Sequence, residues 1–224
     1  VVSAHPLASK VGIMILQQGG NAVDASIATQ LALAVVYPGA GNLGGGGFMV
    51  ARVKDGKTIT LDYREKAPLA ASRDMYLDTA GNPVMRLSQY GHLSAGVPGT
   101  VAGLFASMKY ATLPFQQLVQ PAIDLAERGY ALTVEEAASL NHTQVEFRQY
   151  NASKIAFIKQ SGWKAGDTLV QTDLAETLKR IRNKGQQGFY EGETARLIVA
   201  EMKKANGIIS LDDLKNYEAK EREP

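Results

Sequence analysis

The sequence predicts an α+β protein that is rich in helices and poor in strands. Helix-start signals, in which Asn, Thr or Ser is followed three residues later by Asp or Glu, occur at Asn21, Thr133 and Ser210. The dipeptide Asp55-Gly56 lies between two short apolar stretches, which is a strong signal of a β-hairpin with a two-residue turn. Because two or three strands make a poor independent sheet, we expect the missing strands to lie outside this chain.

The first helix is expected over residues 6–18. Pro6 suits the first helical turn, where its missing N–H costs nothing, and Gly19-Gly20 ends the helix. The second helix is expected over residues 21–36, with Asn21 as its cap. Its residues are apolar on all sides, which is typical of a helix that is buried in a core.

A glycine-rich loop at residues 39–47 separates this helix from the two hairpin strands, expected at 48–53 and 58–63. The loop contains Gly-x-Gly-x-x-Gly, the fingerprint of dinucleotide-binding proteins. That fingerprint functions between a strand and a helix, whereas here a helix precedes it and a hairpin follows it, so we do not favour a dinucleotide site. No Lys-Ser or Lys-Thr follows, which argues against a phosphate-binding loop. We interpret residues 44–47 as points where a strand edge closely approaches another backbone, with contact to a bound ligand as the alternative.

The second half of the chain is predicted to be mainly helical after an irregular stretch that reaches about residue 93. Pro98 opens a helix to about residue 110, and a helix over 115–128 is expected to be broken in two at Pro121. The remaining helices are expected at 133–149, at 173–185 (where Asp173 and Glu176 form another capping signal), at 193–205 and in a short stretch from Ser210.

The composition excludes several functional classes. The chain has 224 residues with 24 Lys+Arg against 22 Asp+Glu, and it shows no basic stripe of the kind that nucleic-acid-binding domains carry. No apolar run reaches the 18 or so residues of a transmembrane helix. The absence of cysteine removes disulfides, thiolate metal sites and cysteine nucleophiles. We therefore predict no metal, no cofactor, no nucleic-acid partner and no membrane span. Because no Pro/Ser-rich linker marks a domain boundary, we treat residues 1–224 as a single segment.

Few residues are candidates for chemistry. The histidines His5, His92 and His142 are far apart and match no metal-ligand spacing, so we expect each to be a surface residue or a satisfied interior one. No Gly-x-Ser-x-Gly motif is present. We interpret the tyrosines at 63, 76 and 90 as packing residues, and the charged run 215–223 as a solvated face or a chain end. The residues alone therefore give no complete active site.

Arg64 is the candidate binding residue. It follows the second hairpin strand, and a guanidinium is the side chain best suited to bidentate recognition of a carboxylate. The alternative is a surface ion pair with Asp62 or Glu65, which would contribute little to stability.

Six segments, taken together and in order, resemble the γ-glutamyltranspeptidase family. They are GGNAVDA (19–25), GNLGGGGFM (41–49), DYREKAP (62–68), VPGTVAG (97–103), PAIDLA (121–126) and GIISLDDL (207–214). They span nearly the whole chain. Each segment is a weak indication by itself, and the six in the family's order are a strong one.

The resemblance implies a part of the four-layer α-β-β-α fold of N-terminal nucleophile hydrolases. Such proteins are made as precursors that cut themselves into a large and a small subunit, and the new N-terminal threonine of the small subunit is the nucleophile, with its own amine as base. The chain is similar to the N-terminal part of the large subunit and stops at Pro224. The rest of the large subunit and the small subunit with its threonine are therefore its expected partners, and no catalytic residue is expected here.

The same resemblance implies a role for Arg64, which matches the arginine that pairs with the α-carboxylate of the γ-glutamyl group in the family. The complete enzyme is then expected to cleave γ-glutamyl amide bonds of glutathione and related donors, and to transfer the γ-glutamyl group to water or to an amine of an amino acid or peptide. It is expected in the periplasm or outside the cell, and this chain alone is expected to be inactive.

Two other functions stay open. One is a related acylase of the same family, acting on cephalosporin side chains or poly-γ-glutamate. The other is a non-catalytic fragment or paralogue that acts as a binding scaffold. A threonine at a self-cleavage point in the downstream sequence would decide for the enzyme.

Overall fold

Two antiparallel helices begin the chain and form the centre of its core. In the computed structural model, which describes residues 1–151, 153 and 155–223, α1 covers Pro6–Gln17 and α2 covers Ala22–Val36. The helix α2 has buried residues on every side, as its apolar composition predicts. The side chains of Leu31 and Val35 are fully inaccessible to solvent. Helix α2 is therefore a central helix of the core, packed against α1 and against two helices that follow later in the chain.

The helix α5, Phe115–Arg128, packs against α2 and against α7, Thr172–Lys184. It runs without interruption through Pro121, so the predicted break is wrong. Proline removes one N–H and normally kinks a helix interior. Here Leu118, Ala122 and Ile123, which belong to the turns next to Pro121, are almost entirely buried in the core. Their burial offsets the lost hydrogen bond.

A three-stranded antiparallel sheet lies beside this helical core. Its strands are β1, Phe48–Arg52, β2, Thr58–Asp62, and β5, Lys220–Arg222, with β2 in the middle. The register pairs Met49 with Leu61 across β1 and β2, and Leu61 with Glu221 across β2 and β5. The third strand lies within the charged run 215–223, which the sequence predicts to be a solvated face or a chain end. The side chains of residues 220–222 are exposed, as on a solvated face, and their backbone forms a strand that the sequence does not predict.

The hairpin turn is one residue longer than predicted. The N–H of Val53 donates to the carbonyl of Lys57, and the N–H of Gly56 donates to the carbonyl of Val53. Three residues, 54–56, therefore connect the strands, with Gly56 at φ +84°. A type I turn followed by a left-handed glycine is the usual three-residue solution.

The other predicted helices are present and differ in their ends, whereas four short elements, at 85–89, 130–131, 168–169 and 187–190, have no counterpart among the predicted ones. The helix predicted to begin at Pro98 begins at Thr100, and the signal at Asp173 forms no capping box, because the cap position is Gln171. The boxes at Asn21, Thr133 and Ser210 all form. The remaining elements are α3, Met85–Gln89; α4, Thr100–Ser107, continued by a 3-10 turn, Met108–Tyr110; β3, Tyr130–Ala131; α6, Val134–Tyr150; β4, Thr168–Leu169; α8, Gln187–Tyr190; α9, Gly192–Lys204; α10, Leu211–Lys215; and a 3-10 turn, His92–Ser94.

Within the described residues, every helix is too short or too polar to cross a lipid bilayer.

Candidate functional site

Arg64 lies immediately beyond the last paired residue of β2. Tyr63 still belongs to the ladder, because its N–H donates to the carbonyl of Gly47 at 3.0 Å and its carbonyl accepts from the N–H of Gly47 at 3.3 Å. The Arg64 side chain then enters an open cleft of about 220 Å³ between residues 62–66 and 217–222. Its position is thus fixed by a strand end, while its side chain stays 66% exposed.

The guanidinium has few partners in the described part of the chain. Its Nε lies 3.4 Å from Oε2 of Glu65, and its Cζ lies 5.8 Å from the centre of the Phe48 ring. No hydrogen bond from either Nη atom to another described residue is present. Asp62, the other neighbour considered in the sequence analysis, contacts Arg64 only through the backbone, because its Oδ1 accepts the Arg64 N–H at 3.1 Å. The Nη atoms of the guanidinium therefore face solvent and can donate hydrogen bonds to an anionic group.

Asp62 is engaged by a different arginine. Nη2 and Nε of Arg222 donate to Asp62 Oδ2 at 2.9 and 3.1 Å. This contact and the Arg64 N–H hold the pKa of Asp62 below its ordinary value. Asp62 therefore stays negatively charged, and the positive charge of Arg222 is matched within the cleft.

The backbone of Arg64 is held from the C-terminal segment. The hydroxyl of Tyr217 donates to the Arg64 carbonyl at 2.6 Å. Next to it, Nζ of Lys66 donates to the carbonyl of Glu218 at 3.0 Å. This role of residues 217–222 is not predicted from the sequence. The one available signal was Tyr217, which is the only aromatic residue among the charged residues at the end of the chain.

The glycine-rich loop lies against the other side of the Arg64 backbone. A Cβ added at Gly46 would lie 2.5 Å from the Tyr63 carbonyl oxygen and 2.8 Å from the Glu65 nitrogen. The predicted close approach of two backbones is therefore confirmed at Gly46. It is wrong at Gly44, where an added Cβ would meet nothing within 4 Å, and at Gly45, where it would meet the side chain of Asn42.

Asn42 joins the same loop to the start of α4. Its Oδ1 accepts from the N–H of Gly45 at 3.0 Å and from the hydroxyl of Thr100 at 2.7 Å. The carbonyl of Gly45 in turn accepts from the N–H groups of Gly99 and Thr100 at 2.7 and 3.0 Å. These bonds satisfy N–H groups that are otherwise unpaired at a helix start. Three segments that are distant in sequence, 42–47, 62–66 and 97–100, thus meet around Arg64.

The histidines and tyrosines have structural roles, as the sequence analysis expected. Nδ1 of His5 accepts the Leu7 N–H and caps α1, while its Nε2–H donates to Glu136 at 2.9 Å. The side chain of His92 is buried against Glu201, and His142 is exposed.

The three tyrosines make packing contacts or hydrogen bonds with their neighbours. Tyr63 is buried, the Tyr76 hydroxyl donates to the Leu93 carbonyl, and the Tyr90 ring stacks on that of Tyr150. Among the described residues, no group of three or more His, Asp or Glu could hold a metal ion.

A comparison with protein families decides the family of the chain. The profile described as gamma-glutamyltranspeptidase matches residues 8–224. The chain belongs to the gamma-glutamyltranspeptidase family. The resemblance inferred from the six segments is thereby confirmed.

Similar members of the family are hydrolase precursors. The chain is 48% identical to a glutathione hydrolase proenzyme of Pseudomonas sp. (strain A14) and 46% identical to one of Escherichia coli (strain K12). Both matches cover 100% of this chain and 40% and 39% of the relatives. The chain therefore spans about two fifths of the length of the curated relatives that it matches.

The fold is that of solved gamma-glutamyltranspeptidases. The crystal structure of the Helicobacter pylori gamma-glutamyltranspeptidase matches with a TM-score of 0.97 and 50% identity, over 100% of this chain and 65% of that one. The predicted fold class, a helix-rich α+β segment of an N-terminal nucleophile hydrolase, is confirmed.

Proposed function

We propose that this chain is the N-terminal part of the large subunit of an enzyme that cleaves γ-glutamyl amide bonds and transfers the γ-glutamyl group to water or to an amine. Glutathione and related compounds are the proposed donors. The family membership and the glutathione hydrolase relatives support this class of reaction. The observation that carries the proposal for this chain is the Arg64 guanidinium, which is fixed at a strand end and open to solvent.

The proposed role of Arg64 is to bind the α-carboxylate of the donor. Two parallel N–H donors of a guanidinium fit the two oxygens of a carboxylate, and such charge-assisted pairs are among the stronger hydrogen bonds in proteins. Glu65, at 3.4 Å from Nε, approaches one side of the guanidinium, which leaves the Nη atoms for the substrate. Because the Asp62 carboxylate is engaged by Arg222, it does not compete for Arg64.

The remainder of the precursor supplies the chemistry in this proposal. The nucleophile is a threonine at the start of a small subunit that self-cleavage releases, and this chain contributes no catalytic residue. The matched relatives are named proenzymes and are about two and a half times as long as this chain, which supports a larger precursor. We also propose a periplasmic or secreted location, for which family membership is the support.

The test is Arg64→Lys in the full-length precursor. Lysine keeps the charge and loses the bidentate geometry. We expect kcat/KM for a γ-glutamyl donor to fall about 30- to 1,000-fold, mainly through a higher KM. Self-cleavage, followed on a gel, should remain normal because it uses no free substrate. The matched control is Arg73→Lys, since Arg73 is an almost fully exposed arginine nearby in the chain.

Normal donor kinetics in Arg64→Lys would refute the carboxylate role. Loss of self-cleavage together with activity would show instead that Arg64 is needed for folding. A related acylase is the weaker alternative, because the relatives at 46–48% identity are both glutathione hydrolases. Equal turnover of a donor that lacks the α-carboxylate would favour that alternative.

A further inference from the structure

Tyr217 follows α10 and is nearly inaccessible to solvent, with 3% of its surface exposed. Its ring stacks parallel to that of Tyr190 at a centroid distance of 5.9 Å, and the ammonium group of Lys66 lies 4.5 Å from the ring centre on the cleft side. Its hydroxyl makes a 2.6 Å hydrogen bond to the Arg64 carbonyl. A buried aromatic ring with packed neighbours is a rigid anchor for the hydroxyl that it carries.

The backbone of Arg64 makes few other hydrogen bonds, although the glycine-rich loop packs against it. The β2 ladder ends at Tyr63, and the next backbone pairing is the bridge between Lys66 and Val97. Between these points, the N–H of Arg64 donates to the Asp62 side chain and its carbonyl accepts from the Tyr217 hydroxyl. Both backbone polar groups of Arg64, which belong to the two peptide units on either side of its Cα, are therefore bound by side chains and not by a strand.

We propose that Tyr217 is a positioning residue for substrate binding: its hydroxyl fixes the peptide unit between Arg64 and Glu65 and thereby the direction of the guanidinium. The proposal rests on the proposed carboxylate-binding role of Arg64. A long side chain amplifies any rotation of the peptide that carries it, so a small backbone shift would turn the fork away from the carboxylate. Recognition by two parallel hydrogen bonds is especially sensitive to such a shift.

The surroundings of the hydroxyl leave it little freedom. A Cβ added at Gly99 would collide both with the Tyr217 hydroxyl and with the carbonyl of Tyr63. Gly99 thus lets the tyrosine reach the Arg64 carbonyl past the start of α4. Burial, together with the negative charges of Asp62 and Glu65, raises the pKa of Tyr217 to about 12. The hydroxyl therefore keeps its proton and acts as a donor at neutral and moderately alkaline pH.

The test is Tyr217→Phe in the full-length precursor, which keeps the ring and its stack and removes only the hydroxyl. We expect a KM for the γ-glutamyl donor that is about 3- to 10-fold higher, with kcat nearly unchanged. The matched control is Tyr190→Phe. It removes a buried hydroxyl from the same ring stack, one that donates to the Pro98 carbonyl, accepts from the Ala102 N–H and makes no hydrogen bond with Arg64. Its donor KM should stay within about 2-fold of the wild-type value.

A double variant separates this proposal from the proposed function. Added to Arg64→Lys, Tyr217→Phe should raise KM by less than about 2-fold, because the group that it positions is already lost. If Arg64→Lys leaves KM unchanged, the proposed function fails. If Arg64→Lys raises KM but Tyr217→Phe behaves like Tyr190→Phe, the positioning role alone is overturned. A fall in kcat at constant KM in Tyr217→Phe would likewise overturn it and show a structural role.

If Tyr217→Phe matures poorly, the second variant is the full-length precursor with 3-fluorotyrosine at position 217. This residue keeps the ring and the hydroxyl and makes the hydroxyl a stronger hydrogen-bond donor. A changed donor KM with a normal kcat would support the proposal, and an unchanged KM would overturn it.

Discussion

Among the buried polar groups of the N-terminal half, the carboxylate of Asp24 is the one that we expect to contribute most to stability. It is fully inaccessible to solvent, it forms no ion pair with a described residue, and it lies in the first turn of α2. Its two oxygens accept from the N–H of Asn21 at 2.7 Å, the hydroxyl of Thr112 at 2.7 Å, the N–H of Thr112 at 3.1 Å and the N–H of Leu113 at 3.0 Å. The side chain thus joins the start of α2 to the segment before α5.

The perturbation is Asp24→Asn, which keeps the shape and replaces one oxygen by an NH₂ group. Every oxygen of Asp24 faces at least two donors, so the NH₂ would oppose donors in either orientation and about two hydrogen bonds would be lost. A hydrogen bond to a charged acceptor contributes about 1.5–3 kcal/mol, and a negative charge at a helix start adds about 0.3–1 kcal/mol. We expect the free energy of unfolding to fall by about 3–5 kcal/mol.

The assay is urea unfolding of the full-length precursor, with Asp55→Asn as control because Asp55 is exposed and accepts one hydrogen bond, from the Lys57 N–H. The control should change stability by less than about 0.5 kcal/mol. Burial by itself raises the pKa of Asp24, and the hydrogen bonds from Thr112, Leu113 and Asn21 bring the net pKa below its ordinary value. The stabilising contribution is therefore present above about pH 4 and is lost as pH falls through the folded-state pKa. An Asp24→Asn precursor as stable as the control, with unchanged acid sensitivity, would refute this reasoning.

Two further predictions concern the glycine loop and the isolated chain. Gly46→Ala should destabilise the full-length protein by roughly 1–3 kcal/mol, because the new Cβ would meet the Tyr63 carbonyl, whereas Gly44→Ala should be tolerated; equal melting temperatures and equal maturation of the two variants would contradict this. The purified chain of residues 1–224 should release no aniline from a γ-glutamyl anilide, because the proposed nucleophile lies outside it, and release above background would disprove that expectation.

Helix starts could be predicted because their signals are local. At Asn21 the cap side chain and the carboxylate three residues later exchange hydrogen bonds with each other's backbone. The same pattern at Asp173 and Glu176 fails, because Glu176 forms an ion pair with Lys179 and the helix begins at Thr172. The second function of Asp24, binding residues 112 and 113, has no local signal, since those donors lie 88 and 89 residues away.

Strand β5 could not be predicted from its own residues. Lys220–Arg222 contains no apolar alternation, and all three side chains are exposed. It is a strand because β2 offers an unpaired edge and because Arg222 can reach Asp62. A sequence pattern reports burial of side chains, so a short edge strand that buries none gives no periodic signal. The continuous α5 shows the opposite case, in which tertiary packing overrides the local signal of Pro121.

In the candidate site, too, features with a local sequence signal could be predicted, and contacts between distant segments could not. Arg64 could be singled out because a guanidinium at a strand end has a recognisable chemistry. The group that supports it could not, because Tyr217 binds a main-chain carbonyl, and every residue offers such a carbonyl. The need for glycine at two positions is evident only in the three-dimensional structure. Gly46 leaves room for the backbone of residues 63–65 on one side, and Gly99 leaves room for the Tyr217 hydroxyl on the other. Gly46 and Gly99 are therefore best understood as leaving space for the backbone that carries Arg64 and for the hydroxyl that binds it.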